Sequence, residues 1–248
     1  MRLTRLFVAE ALVEGGEILL EPRAGQHVTR VLRMQAGAPL GLFDGAGAEH
    51  AATIAAVRGT DVLVRVGARV AATPESPLAI TLAQGVSRAE RMDYAIQKAT
   101  ELGVARIVPL LCERSVVKLD ERQALAKLEH WRGVVISAAE QSGRATVPVV
   151  EPPRRFIDHL ARATRTEQAG TCHALLLPGA ASGIAALPTN LTSIELVIGP
   201  EGGLGDEEAR LALTHGYRGL RLGPRVLRTE TAAAAAIAVL QARYGDLG

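Results

Sequence analysis

The stretch VIGPEGGLGDEEA, residues 197–209, joins an apolar run to a glycine-rich loop and then to an acidic segment. A buried strand, a turn and the start of a helix follow one another in this order in α/β proteins. A phosphate-binding loop would carry a lysine where this loop carries Glu201. The stretch therefore predicts a strand–loop–helix unit whose loop exposes backbone to a ligand other than a phosphate.

Two more strand-like runs end in the same way. Leu175–Leu177 is followed by Pro178 and Gly179, and the run that ends at Leu222 is followed by Gly223 and Pro224. Ligands of open α/β sheets bind at the carboxyl ends of strands. We therefore expect three loops to enclose one pocket built mainly from backbone. The alternative for any single loop is an ordinary turn, in which Gly and Pro are common.

A pocket of this kind suits a nucleoside that carries a positive centre. Backbone groups can bond the edge of an adenine and ribose hydroxyls, and a carboxylate is tolerated if the ligand lacks phosphate. S-adenosylmethionine (SAM) combines adenosine, a sulfonium and an ammonium, so it is the ligand that we expect. Glu201 has two alternative roles, which are to face the cationic part of the ligand or to accept a hydrogen bond from a backbone amide.

Other catalytic motifs are missing from the sequence. There is no GxxxxGK[ST] loop, no GxGxxG fingerprint and no GxSxG elbow. The six histidines show neither HExxH nor close pairing, so no metal site is expected. These absences argue against kinases, dehydrogenases, serine hydrolases and zinc enzymes.

Composition indicates a soluble, cytoplasmic protein with no membrane partner. Of the 248 residues, 48% are hydrophobic, which suffices for a large core. No apolar run approaches the roughly 20 residues of a membrane span, and we read no signal peptide at the start. The two cysteines, Cys112 and Cys172, are far apart and fit buried thiols in a reducing compartment.

The basic residues are almost all arginine. Of 28 lysines and arginines, only Lys98, Lys118 and Lys127 are lysine, although the net charge is just +2. Arginine suits phosphates and base edges because its planar fork donates two hydrogen bonds at once. A codon-composition bias, which would also explain the many alanines, is an equally good alternative.

The rhythm of the chain predicts two domains. Residues 1–72 contain short strand-like runs typical of a small β-barrel. Residues 73–77, TPESP, read as a linker because they hold two prolines and polar side chains. Residues 78–248 alternate strands and helices, which indicates an α/β domain with a mostly parallel sheet. A helix of roughly Glu121 to Ser142 is among its elements.

Arginines of the first domain could form a basic patch. The segment QHVTRVLRM, residues 26–34, places Val28, Val31, Leu32 and Met34 at helical spacing. Arg30 and Arg33 are three residues apart and so share one face of that helix. With Arg2 and Arg5 they could face RNA, and a solvated helix face is the alternative. The following residues are therefore candidate RNA contacts: Arg2, Arg5, Arg30 and Arg33.

GPEGG at 199–203 followed by LGPRVLRTETA at 222–232 resembles a signature of the RsmE family of SPOUT-class methyltransferases. Further blocks in the expected order also look like that family: HVTRVLR at 27–33, QKATELGV at 97–104, ERS at 113–115 and EQSGR at 140–144. The resemblance covers nearly the whole chain. Each block alone is weakly specific, and the ordered set is strongly so.

The resemblance implies a fold and an activity. The fold is a SPOUT-type α/β domain whose C-terminal segment is threaded into a trefoil knot, preceded by a PUA-like β-barrel that binds RNA. The activity is SAM-dependent methylation of N3 of a uridine in 16S ribosomal RNA of the small ribosomal subunit, performed by a homodimer without a metal. Two alternatives stay open: a SPOUT enzyme for another RNA, such as transfer RNA or large-subunit RNA, and a non-catalytic RNA-binding assembly factor.

The loops and the resemblance together predict a set of site residues. Arg228 is the catalytic candidate and Glu201 a second one, with a salt bridge from Arg228 to Glu230 or Glu201 as the alternative. The family blocks add three RNA contacts to those above: Arg114, Gln141 and Arg144. The predicted cofactor-binding residues are Leu177, Pro178, Gly179, Ile198, Gly199, Pro200, Glu201, Gly202, Gly203, Leu222, Gly223, Val226, Leu227 and Thr231.

Overall fold

The computed structural model describes residues 3–162 and 169–248, which form two compact units. The first unit comprises Met1–Glu75 and Ile136–Val147, and the second comprises Ser76–Val135 and Pro148–Gly248. The segment Ile136–Val147 thus belongs to the first unit, although the sequence places it within 78–248. The domain bounds 1–72 and 78–248 and the linker 73–77 stay predictions. Arg2 lies outside the described residues.

The first unit is built on a five-stranded sheet. Its spatial order is β1-β3-β4-β5-β2, and only the β1–β3 pair is parallel. On β4 and β5 alternate side chains are buried, as expected when one face of a strand covers a core. The strands are β1 (Arg5–Phe7), β2 (Glu17–Leu19), β3 (Pro39–Phe43), β4 (Glu49–Arg58) and β5 (Asp61–Val70).

The helical segment of the first unit departs from the predicted amphipathic helix. A short helix α1 (Pro22–Gln26) continues into a π-helical turn, His27–Val31, in which the amide of Leu32 donates to the carbonyl of His27. Val28 is fully buried, whereas Val31 is 66% exposed. The wider turn rotates later side chains away from the face that the 3.6-residue spacing predicts.

The second unit is built on an eight-stranded parallel sheet, as the sequence predicted. Its spatial order is β11-β13-β10-β12-β6-β7-β8, with β9 paired to β7. The strands are β6 (Ala79–Gly85), β7 (Arg106–Leu111), β8 (Val149–Val150), β9 (Arg154–Arg155), β10 (Thr171–Leu176), β11 (Ser182–Gly183), β12 (Ser193–Ile198) and β13 (Arg218–Arg221).

The helices of the second unit follow the strands, and a single 3₁₀ turn, Ile184–Ala186, follows β11. The long helix starts in the second unit, ends in the first, and has the predicted bounds. No helix of the described chain has the length and apolarity that a membrane crossing requires. The helices are α2 (Ala89–Glu101), α3 (Glu121–Ser142), α4 (Phe156–Arg162), α5 (Asp206–Thr214) and α6 (Thr229–Tyr244).

A largely buried polar cluster around Glu195 on β12 joins that strand to α4, to β10 and to Tyr217 just before β13. Nε2 of His159 lies 2.9 Å from Oε1 of Glu195, and the hydroxyl of Tyr217 donates to the same oxygen. Nδ1 of His173 lies 3.9 Å from it, which is an ion-pair distance and too long for a hydrogen bond. Burial opposes ionisation of Glu195, but the histidines and the hydroxyl outweigh it and hold the pKa of its carboxyl far below the usual range. The carboxylate in turn raises the pKa of His173.

The cluster predicts a pH-dependent stability. A carboxylate with a lowered pKa stabilises the fold above its unfolded-state pKa, about 4.3, and loses that contribution as the pH falls. A histidine with a raised pKa stabilises below its unfolded-state pKa, about 6.5, and loses that contribution as the pH rises. We expect Glu195→Gln to lower the free energy of unfolding by on the order of 3 kcal/mol, most strongly between those two values. Urea unfolding from pH 4 to 8 measures this.

Glu207 supplies the control, because it pairs with Arg210 on the surface of α5. Glu207→Gln should change stability little at any pH. Equal effects of the two substitutions across the pH range would show that the cluster around Glu195 contributes no more to the free energy of unfolding than a surface ion pair.

Candidate functional site

A cavity of about 580 Å³ opens at the carboxyl edge of three neighbouring strands. Strand β10 lies between β12 and β13, so the loops that follow these strands meet at one edge. This is the arrangement that the three Gly-Pro strand ends predicted. The predicted residues that line the cavity are Leu177, Pro178, Ile198, Gly199, Pro200, Glu201, Gly202, Gly203, Leu222, Gly223, Val226, Leu227 and Arg228.

Two predicted cofactor residues do not line the cavity. Gly179 sits at the exposed tip of a turn, where an added Cβ would meet nothing within 4 Å. Thr231 is exposed on α6, whereas Thr229 and Ala232 line the cavity. Residues three apart share a helix face and residues two apart do not, so the helix turns Thr231 away. For both residues the cofactor contact stays a prediction that the lining of the cavity does not support.

The loop after β12 is a tight turn held against its neighbours. The amide of Gly203 donates to the carbonyl of Pro200, and Gly203 has a φ of 72°, which favours glycine. A Cβ on Gly199 would lie 2.8 Å from the backbone of Gly203 and Leu204. One on Gly202 would lie 3.0 Å from Cβ and the carbonyl oxygen of Arg114. The cavity wall here is bare backbone because side chains do not fit.

A buried hydroxyl fixes this loop to the start of α6. Oγ1 of Thr229 donates to the carbonyl of Gly199 at 2.6 Å and accepts from Nε2 of Gln84 at 2.8 Å. Gln84 is fully buried and Thr229 is 7% exposed. A Cβ on the next residue, Gly85, would lie 2.4 Å from the nitrogen of Pro200. The end of β6, the loop after β12 and the first turn of α6 are therefore locked together.

Glu201 bonds a backbone amide, which is one of the two roles left open by the sequence. Its Oε1 accepts from the amide of Arg88 at 2.9 Å, and Nη1 of Arg91 lies 3.7 Å away. Burial alone would raise the pKa of the Glu201 carboxyl, but the Arg88 amide and the Arg91 charge hold it below its ordinary value. The carboxylate stays ionised and secures the loop at the N-terminus of α2.

Four arginines line the cavity, and one of them is the predicted catalytic candidate, Arg228. Arg91 is paired with Glu201, and Arg114 lies 3.0 Å from Asp206. Arg225 and Arg228 are exposed, and neither guanidinium forms a hydrogen bond or ion pair with residues 3–162 or 169–248. The expected alternative for Arg228, a salt bridge to Glu230 or Glu201, is therefore not formed. Arg228 is free to meet a ligand.

Arg114, a predicted RNA contact, lines the same cavity as the predicted cofactor loops. Sequence reasoning missed Arg91, Thr229 and Ala232 as lining residues. No sequence pattern pointed to Arg91, because α2 approaches the loop only in the folded chain. A pattern did point to Thr229, since it is the first residue of the helix that the LRTETA motif opens.

The predicted RNA contacts of the first unit separate into buried and exposed groups. The guanidinium of Arg5 makes a two-bond pair with Glu49 and donates to the carbonyls of Ala139 and Arg144. Arg144 is 7% exposed and pairs with Glu75. For these two arginines the RNA contact stays a prediction, and their guanidinium groups already bond partners inside the unit. Three other predicted contacts lie exposed: Arg30, Arg33 and Gln141.

No group of three or more His, Cys, Asp or Glu side chains within the described ranges is arranged to hold a metal ion. The lining of the cavity consists of loop backbone, apolar side chains, four arginines, Glu201 and Thr229. Such a cavity can hold a nucleoside-like ligand and present a guanidinium to a second one.

Two family models place the chain in the class of RNA methyltransferases. A family model described as an RNA methyltransferase domain matches residues 74–241, and one described as an RNA methyltransferase PUA domain matches residues 20–67. The predicted α/β fold with a parallel sheet and a preceding PUA-like domain is confirmed. The trefoil knot stays a prediction.

Relatives narrow the class to one family. The ribosomal RNA small subunit methyltransferase E of Buchnera aphidicola is 31% identical and covers 99% of this chain and 98% of its own. The protein of that name from Neisseria gonorrhoeae, solved with SAM bound, is 34% identical with a TM-score of 0.90 over 100% of both chains. A Legionella pneumophila methyltransferase solved with SAM is 41% identical with a TM-score of 0.94, also over 100% of both. The chain belongs to the ribosomal RNA small subunit methyltransferase E (RsmE) family.

The buried Thr229 network predicts a difference between two threonines of one helix. Thr229→Val keeps the shape but removes the hydroxyl that donates to the Gly199 carbonyl, and it leaves Nε2 of Gln84 with the Gly85 carbonyl as its remaining acceptor. The change should lower the free energy of unfolding by about 1–3 kcal/mol. Thr231→Val removes an exposed hydroxyl and should stay within about 0.5 kcal/mol of the unmodified protein. Urea unfolding followed by circular dichroism compares them. Equal losses would mean that the hydroxyl of Thr229 does not fix the loop.

Proposed function

We propose that this protein is a SAM-dependent methyltransferase that methylates N3 of a uridine in 16S ribosomal RNA of the small ribosomal subunit. The observation that carries the proposal is the cavity at the ends of β10, β12 and β13, with the unpaired guanidinium of Arg228 in its lining. The relatives' names supply the ribosomal substrate class. A ribosomal RNA substrate also agrees with the cytoplasmic location expected from the sequence.

The cavity fits SAM. Gly199 and Gly202 leave no room for side chains, so the wall near them presents backbone to the ligand. The apolar side chains of Leu177, Ile198 and Leu227 supply surface for an adenine. Predicted cofactor residues that line the cavity are proposed to contact SAM. When bound, SAM supplies an electrophilic methyl group on a sulfonium.

The protein's task is to favour the N3 anion of uridine and to place it against that methyl group. The proton on N3 is weakly acidic, and the negative charge left after its removal spreads onto O2 and O4. The free guanidinium of Arg228 can donate to one of these oxygens and stabilise the charge as it develops. Arg228 is fixed at its backbone, because its carbonyl accepts from the amide of Ala232 in the first turn of α6.

Glu201 is proposed as a positioning residue rather than a catalytic one. Its carboxylate holds the loop at the amide of Arg88, so its effect on the reaction passes through the loop. Arg91 and Arg114 are likewise committed to Glu201 and Asp206. The resemblance implies a homodimer, and we propose that the protein acts as one. Its proposed RNA partner is the small-subunit ribosomal RNA.

Arg228→Ala should lower the single-turnover methylation rate on the order of 10²–10³-fold, the usual loss of one electrostatic donor. SAM affinity measured by calorimetry should change much less, because the interaction forms with the developing charge. Arg221→Ala is the charge-matched control, since Arg221 is exposed and does not line the cavity. A loss that lies entirely in SAM affinity would move Arg228 from catalysis to cofactor binding.

The methylated atom has its own test. A methyl group on N3 blocks the Watson–Crick edge, so reverse transcriptase should stop at the product, whereas methylation of C5 or the ribose leaves that edge intact. Under single turnover the rate should rise with pH while chemistry limits, because the nucleophile is deprotonated. A 5-methyluridine substrate should still react. The absence of a stop on fully methylated RNA would refute N3 as the target.

A further inference from the structure

A second cavity, of about 660 Å³, lies wholly within the first unit. It is bounded by β1, by α1 and the π-helical turn, and by the part of α3 that belongs to this unit. Its lining includes Arg23, His27, Arg30, Val31, Ser137 and Glu140. No step of the proposed methyl transfer uses it.

Unusual backbone marks the segment that walls this cavity. His27–Val31 is a π-helical turn, a form that is rare and frequent at functional sites. Arg33, two residues beyond, has a φ of 53°, which is strained for a residue other than glycine. The distortion has a consequence: Val31 and Leu32 remain 66% and 37% exposed in the cavity lining instead of joining the core.

Two arginines, Arg23 and Arg30, are exposed in the cavity lining, and two acids, Glu21 and Glu140, also line it. His27 is a further exposed lining residue. Oε1 of Glu140 accepts from the amide of Phe7 at 3.0 Å, which orients the carboxyl. Burial raises the pKa of Glu140, although the Phe7 amide and the charges of His27, Arg23 and Arg5 act against the rise.

We infer that this cavity holds one unpaired nucleotide of the RNA, with its phosphate at Arg23 and Arg30 and its base against Val31 and Leu32. Arginine forks suit phosphate oxygens, and exposed apolar side chains suit the face of an unstacked base. The Glu140 carboxyl can accept a hydrogen bond from an N–H of the base. The inference rests on the proposed function for the identity of the ligand as RNA, and it adds a nucleotide site away from the SAM loops in the sequence.

Filling the cavity tests the inference. Ser137 is exposed on α3 and lines the cavity, so Ser137→Phe adds bulk without removing a charge. We expect it to weaken binding of a short single-stranded RNA, measured by fluorescence anisotropy, on the order of tenfold, the size of one lost nucleotide contact. RNA carrying 4-thiouridine should cross-link within 22–33 or 136–141 in the unmodified protein and lose that cross-link in the variant.

A charge-matched pair separates a built site from a general electrostatic field. Arg30→Ala should weaken RNA binding clearly more than Arg58→Ala, because Arg58 is exposed on β4 and does not line the cavity. Equal losses, or cross-links that map elsewhere, would overturn the inference. A change of molar mass in Ser137→Phe with unchanged RNA affinity would overturn it too, since the cavity would then be an interface between copies.

Different experimental results would reject the nucleotide site and the proposed methyltransferase function. If the protein binds RNA through this cavity but transfers no methyl group, the proposed function fails and the nucleotide site stands. If Ser137→Phe binds and methylates RNA like the unmodified protein, the nucleotide site fails and the methyltransferase stands. SAM affinity, measured alongside, should be the same in Ser137→Phe, Arg30→Ala and Arg58→Ala.

Discussion

The hydroxyl of Thr229 is the contact on which the site depends. It lies between the Gly199 carbonyl and the Gln84 amide, so one buried side chain joins three segments that are far apart in the sequence. Close approach reinforces it, because Gly85 leaves no space for a side chain beside Pro200. Hydrogen bonds are stronger in a buried environment than in water, which makes the position of the loop specific. The backbone wall of the cavity follows from that constraint.

The four arginines of the cavity lining fall into two pairs, one that holds loops in place and one that is available to a ligand. Arg91 and Arg114 hold loops through Glu201 and Asp206, and their guanidinium groups are committed. Arg225 and Arg228 have no partner among the described residues and face the cavity. The same division holds in the first unit, where Arg5 is enclosed with Glu49 and Arg30 is exposed. In the second unit pairing with acids separates the arginines, and in the first unit pairing is accompanied by burial.

Much of the fold could be read from local patterns. Apolar runs that end in Gly-Pro predicted the strands at the site, and the alternation of strands with helices predicted a parallel sheet. These predictions hold because hydrophobic periodicity and turn chemistry act over a few residues. The prediction of one regular helix at residues 26–34 was wrong in detail, because the π-helical turn displaces Val31 from the core. Its 3.6-residue pattern contains no sign of the wider turn.

The sequence by itself determined the strand–loop–helix units, the three loops of the site and the family to which the chain belongs. Only the tertiary structure decided which side chains are available. Thr229 and Thr231 lie on different faces of α6, and the packing of that helix decides that the face of Thr229 lines the cavity. Glu201 is bound to an amide 113 residues earlier in the chain. Arg5 and Arg144 are enclosed by acids that are distant in sequence. Pairing over such separations depends on how the elements pack, and no local pattern carries that information.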